Sequence, residues 1–144
     1  METREATCDL LRFEQAADDP DSSPEAMLEA VSLYGGELLA GIDSLWVMQR
    51  RESCRRKFIG MTQRLIERFK ADRRQPQALE LAQKLHRHDP LSEEFATEVV
   101  GLYAGLGQRT LAADFFDRFA RRYREELGGE PSEETVARCN AFLC

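Results

Sequence analysis

Two stretches decide the fold of this chain. Residues 65–85 read LIERFKADRRQPQALELAQKL, and residues 99–119 read VVGLYAGLGQRTLAADFFDRF. At an offset of 34 residues, Leu65 falls on Val99, Ile66 on Val100 and Phe69 on Tyr103. Further along, Ala78 falls on Ala112, Ala82 on Phe116 and Leu85 on Phe119. Arg73 falls on Gly107, where the turn between two helices belongs. A small residue at 78 and 112 has a physical reason, because two helices joined by a short turn must approach closely there. Ala78 and Ala112 are therefore the candidate repeat-packing residues.

Working outward, the same punctuation recurs. Pro76 opens one helix, with Ala78, Leu79, Leu81, Ala82 and Leu85 on its faces. Asp89-Pro90 closes it, and Ser92-Glu93-Glu94 starts the next, which carries Phe95, Val99, Leu102, Tyr103 and Leu106 before Gly107. Leu111, Ala112, Phe115, Phe116, Phe119 and Tyr123 mark a further helix that stops at Gly128-Gly129. Pro131-Ser132-Glu133-Glu134 begins the last one. Upstream, residues 44–72 read as one long helix with apolar rows on two sides, as a middle layer requires. Before it lie a short helix within residues 7–17 and a helix from about Pro24 to Tyr34, capped by Ser22 or Ser23 and stopped by Gly35-Gly36. A 34-residue helix–turn–helix unit is the tetratricopeptide period. The expectation is an all-α, right-handed helical solenoid: about seven helices, as three antiparallel pairs plus a capping helix, with the first pair degenerate. An irregular helical bundle is the competing arrangement.

Composition agrees. Leu and Ala total 33 residues, and the β-branched Val, Ile and Thr only 14, which excludes a β-sandwich or barrel. No apolar run approaches the roughly 20 residues that span a bilayer. The N-terminus Met1-Glu2-Thr3-Arg4-Glu5 carries no secretory signal, and a cytoplasmic protein is expected. Cys8, Cys54, Cys139 and Cys144 lack the close spacing of a zinc or redox site. His86 and His88 sit where side chains meet the last carbonyls of a helix. No phosphate loop, nucleophile elbow or metalloprotease motif occurs, so no enzyme and no cofactor are expected.

Charge is uneven. The chain has 20 basic and 26 acidic residues, net −6. Residues 1–43 hold eleven acidic and two basic side chains, a net of −9. Residues 50–74 hold ten basic and three acidic, a net of +7. Arg50, Arg51, Arg55, Arg56, Arg73 and Arg74 form a candidate basic interaction face, and Arg118, Arg121, Arg122 and Arg124 a second cluster. Arginines dispersed over helices without interleaved aromatics do not read bases. Solvated helix faces are the plainer reading of both clusters.

One ordered set of short motifs goes further. The run AVSLYGGELLAG (residues 30–41) followed by Trp46 resembles an A-x-x-L-Y-x-G-x-L-L-x-G…W signature. With Ala78-Leu79, DPLSEE (89–94), Leu102-Tyr103, Gly107 and REELGGEPSEET (124–135), it resembles the bacterial transcriptional activator domain, the tetratricopeptide-like domain of SARP-type regulators. The resemblance covers about residues 8–143. In that family the helical domain follows a winged helix of the OmpR type, for which there is no room before residue 8. The resemblance implies that residues 1–144 are one regulatory domain. Its partners would be protein: other domains of a regulator, the transcription machinery, or a second copy in a homodimer. Sequence-specific DNA binding by this chain alone and membrane association are not expected. Arg73 departs from the family's Gly-type turn. Two other readings stay open at this point: a generic tetratricopeptide adaptor, and a small-molecule sensor with a pocket around Tyr34, Trp46 and Phe58.

Overall fold

The computed structural model describes residues 11, 13–19, 21–35 and 45–143, and the side chains of 33–35 and 45–51 are outside that description. The run 36–44 and both cysteines at the chain ends, Cys8 and Cys144, therefore lie outside the described residues. Every regular element among the described residues is an α-helix. Residues 13–18 are helical and form α1. Then follow α2 (Pro24–Gly35), α3 (Leu45–Ala71), α4 (Gln75–His88), α5 (Glu93–Gly105), α6 (Arg109–Leu127) and α7 (Glu133–Leu143). The chain forms two compact units, Met1–Leu65 and Ile66–Cys144.

In the first unit, α2 starts where a cap and a proline meet. The Ser23 hydroxyl accepts from the Ala26 N–H at 3.2 Å, and Pro24 occupies the first helical position, where its missing N–H costs nothing. Ser22 does a different job: its hydroxyl donates to the Ala16 carbonyl at 2.8 Å, tying the loop to α1. Phe13, Met27, Ala30 and Val31 are buried, as are Cys54, Phe58, Met61 and Leu65 along one row of α3. Thr62 is also fully buried and spends its hydroxyl on the Phe58 carbonyl at 2.7 Å.

The second unit repeats its own backbone. At the end of α3, Arg73 takes a left-handed φ of 61°, and after α5, Gly107 takes 76°. The Arg74 N–H donates to the Phe69 carbonyl at 2.7 Å, and the Gln108 N–H to the Tyr103 carbonyl at 2.9 Å. Inside each turn, the Arg73 N–H reaches the Lys70 carbonyl at 3.2 Å and the Gly107 N–H the Ala104 carbonyl at 2.9 Å. This pair of bonds is the Schellman ending, which satisfies carbonyls that a helix C-terminus leaves open. The next helices start alike, from Arg74 (φ −101°, ψ 56°) and Gln108 (φ −98°, ψ 57°). Ala78 and Ala112, four residues on, are both fully buried.

The third start is displaced. Ser92 caps α5 by accepting from the Phe95 N–H at 3.3 Å, and Ser132 caps α7 by accepting from the Thr135 N–H at 3.3 Å. These serines lie 40 residues apart, because α6 runs 19 residues where α4 runs 14 and the loop after α6 is one residue longer. Asp89-Pro90 halts α4, since the residue before proline resists the helical region. In contrast, α6 continues to Gly128, which ends it at φ 74°. Despite the slip, α5 packs against α4, α6 and α7, and α7 also meets α6. Val100, Ala112 and Cys139 form a buried cluster, with Tyr103, Phe115, Phe116 and Leu143 against it. Glu93 fastens the two helix starts together, its carboxylate accepting from the Ser132 N–H.

Candidate interaction site

A groove opens between α4 and α6. From α4 it takes Gln83, His86 and Arg87, with Pro90 just beyond the helix end. From α6 it takes Phe115, Arg118, Phe119 and Arg122. The α6 set has the spacing i, i+3, i+4, i+7 and the α4 set i, i+3, i+4, each one stripe of a helix. Tyr103 of α5 lies in the floor, and the space enclosed is about 390 Å³. The His86 ring meets Phe115 edge-on at 4.7 Å between centroids, and Phe119 at 6.4 Å. The Tyr103 hydroxyl accepts from the Gln83 amide at 2.7 Å.

His86 is the unusual group here. Its Nδ1 is buried and has no hydrogen-bond partner. Burial pushes its pKa below the ordinary histidine value, and the guanidinium groups of Arg122 and Arg87 push the same way, against Asp89. A neutral imidazole packed on phenyl edges follows. The sequence reading had His86 meeting the last carbonyls of α4; the ring instead lies across the groove on α6.

A second hollow, of about 200 Å³, lies where α5 faces the end of α3 and α7. Lys70 bridges Glu98 at 3.1 Å and Glu67 at 3.3 Å. Burial works against the Lys70 charge, but the two carboxylates outweigh it and its pKa is raised. Gly101 and Gly105 are small for a reason. A Cβ at Gly101 would stand 3.0 Å from the Phe142 ring, and one at Gly105 would stand 2.8 Å from the Gln75 amide oxygen. The two glycines let α7 and the start of α4 close in on α5.

The family model of the bacterial transcriptional activator domain matches residues 5–143. The chain belongs to that family. No curated protein and no solved structure matches the chain. The family is one of transcription regulation, and the all-helical, tetratricopeptide-like architecture is the one it implies. No helix among the described residues is long and apolar enough to cross a membrane.

In this activator domain the six candidate arginines are divided between the two units. Arg50 and Arg51 lie on α3, with side chains outside the description. Arg55 and Arg56 belong to the first unit, one partly buried and one exposed. Arg73 and Arg74 are exposed in the second unit, and both are turn residues. Three of the four arginines of the later cluster are matched by carboxylates: Arg118 to Asp114 at 3.1 Å, Arg122 to Glu126 at 3.3 Å and Arg124 to Glu130 at 2.9 Å. Tyr34 and Trp46 fall outside the described side chains, while Phe58 is a core residue at 1% exposure. The groove is what the sequence reading missed. Its signal was the helical spacing of 83/86/87 on α4 and 115/118/119/122 on α6, on faces that read as polar or as core.

Proposed function

We propose that this chain is the regulatory, protein-contacting domain of a bacterial transcriptional activator. It acts by self-association or by contact with other parts of a regulator or of the transcription machinery, and it does not read bases. On this reading residues 1–144 work as one regulatory domain in the cytoplasm. The observation that carries it is the match to the activator-domain family over residues 5–143. The chain's net charge of −6 opposes tracking of a phosphate backbone. Repeated helix pairs support the reading, because stacking them creates extended surfaces suited to protein contact.

The test has two parts. Labelled DNA duplexes of unrelated sequence, titrated with the full chain at physiological salt, are expected to bind equally and weakly, with Kd of roughly 10⁻⁶ M or above. Sedimentation of the chain alone and with RNA polymerase holoenzyme is expected to reveal self-association or a complex. Tight, sequence-dependent DNA binding overturns the proposal, as does a monomer that joins neither itself nor the polymerase.

A further inference from the structure

We infer that the groove between α4 and α6 receives an acidic amphipathic segment of a partner protein, whose apolar side chain enters against Phe115 and Phe119 while its carboxylates meet Arg87, Arg118 and Arg122. The inference rests on the protein-contact reading above and assigns a place and a chemistry to that contact.

Three features of the groove specify the occupant. The first is its charge: the lining contains three arginines and no carboxylate, in a chain whose net charge is −6. The local sign is thus opposite to that of the molecule. A partner chosen by complementarity is acidic at this place.

The second is its store of donors. Arg118 and Arg122 are about half exposed or more, and their pairs with Asp114 and Glu126 are surface pairs four residues apart on one helix. Such pairs are worth only about 0.3–0.5 kcal/mol, so an incoming carboxylate displaces them cheaply. Tyr103 accepts from Gln83 and keeps its own O–H proton for another acceptor. A ligand rich in acceptors uses the guanidinium groups and this hydroxyl.

The third is the apolar floor. Phe115 is partly exposed, and its ring lies beside those of His86 and Tyr103 at centroid distances of 4.7 and 6.3 Å. A volume of about 390 Å³ fits the range of clefts that anchor large side chains. Helical stripes of α4 and α6 flanking an apolar floor form a groove of the kind that takes an amphipathic helix. A nucleic acid would satisfy the arginines but leave the phenyl floor unmatched.

The experiment pans a phage-displayed library of random 16-residue peptides against the full chain. The enriched clones are expected to combine a large apolar anchor with two or more Asp or Glu residues. A synthetic enriched peptide is then titrated against the wild type and against chains carrying Arg118→Gln with Arg122→Gln, or Arg87→Gln. All three side chains are solvent-facing, so the variants are expected to melt like the wild type. The double variant should weaken the peptide about tenfold, the loss of one or two charge-assisted hydrogen bonds. Raising the salt should weaken the wild-type complex further. Failure to enrich, enrichment of basic or neutral peptides, or affinity indifferent to these substitutions overturns the inference. So does a DNA duplex that displaces the peptide through the same arginines. The protein-contact reading survives the first three results and falls only to its own DNA and sedimentation outcomes.

Discussion

The turn at Arg73 and the turn at Gly107 have the same backbone and different residues. Both place one residue at left-handed φ, both close with the same two N–H to carbonyl bonds, and both deliver a fully buried alanine one helical turn later. Glycine accepts such a φ without steric cost, whereas for an arginine the left-handed region costs roughly 1–2 kcal/mol. An arginine persists in the first turn because the packing of the two joined helices dictates the backbone. The residue at the turn sets only the cost of complying. The buried alanines should therefore govern stability more strongly than the turns do.

The most severe way to break the comparison is to enlarge those alanines. Ala78→Trp and Ala112→Trp each force an indole into a fully closed helix contact, and each should destabilise by about 1–3 kcal/mol or more. Thermal melts followed by circular dichroism measure this. Unchanged melting of both variants would remove the packing explanation.

The turns themselves come next. Gly107→Arg should cost about 1–2 kcal/mol through φ alone, since no heavy atom stands within 4 Å of where its Cβ would go. Arg73→Gly should stabilise by up to about 1 kcal/mol, because glycine is the preferred residue at a Schellman ending. The double variant, which exchanges the two residues, should melt close to the wild type. A destabilising Arg73→Gly would mean that the arginine side chain contributes more than its backbone costs.

The helix starts give a smaller contrast. Ser92→Ala and Ser132→Ala each remove a cap worth about 1 kcal/mol. Equal losses measured by urea unfolding would indicate that the 40-residue offset of α7 leaves its start equivalent to that of α5. A much smaller loss at Ser132 would mean that the Glu93 contact already holds that start.

Much of this comparison was legible beforehand, and the reason is local. Caps, prolines and the small residues at 78 and 112 act within one or two turns of helix, so residue type and spacing reveal them. The sequence offered two capping serines before α2, and the geometry divided the work, Ser23 capping and Ser22 tying the loop to α1. The groove was not legible. Whether Phe115 faces the core or a cleft depends on the rotation of α6 about its axis and on where α4 ends, and both are set by neighbours distant in sequence. The pairing of the α6 arginines was not legible for a related reason, since carboxylates four residues away reach Arg118 and Arg122 only once the helix forms.

The least of the expected effects concerns a position where the two repeats differ in chemistry. Thirty-four residues after His86 stands Ala120, so the half-buried imidazole has no counterpart in the second copy. Its pKa is lowered in the folded state, first by burial and then by Arg122 and Arg87, with Asp89 opposing. Tyr103 and Arg118 line the same groove. A group with a depressed folded pKa binds its proton more readily when the chain unfolds. Its contribution to stability is therefore complete above the unfolded value of about 6.5 and is lost as the pH falls through the folded value. Wild-type melting should thus decline between pH 7.5 and 5.5 more steeply than that of His86→Gln, which presents an amide with no charge to acquire. The comparison of slopes cancels the ionisable groups that lie away from His86 and are common to both proteins. Parallel slopes would mean that the imidazole takes up its proton in place and turns outward between Arg87 and Arg122 at little cost. In that case the groove is looser than its ring contacts suggest, and the second repeat, closed by Ala120, is the more rigid of the two.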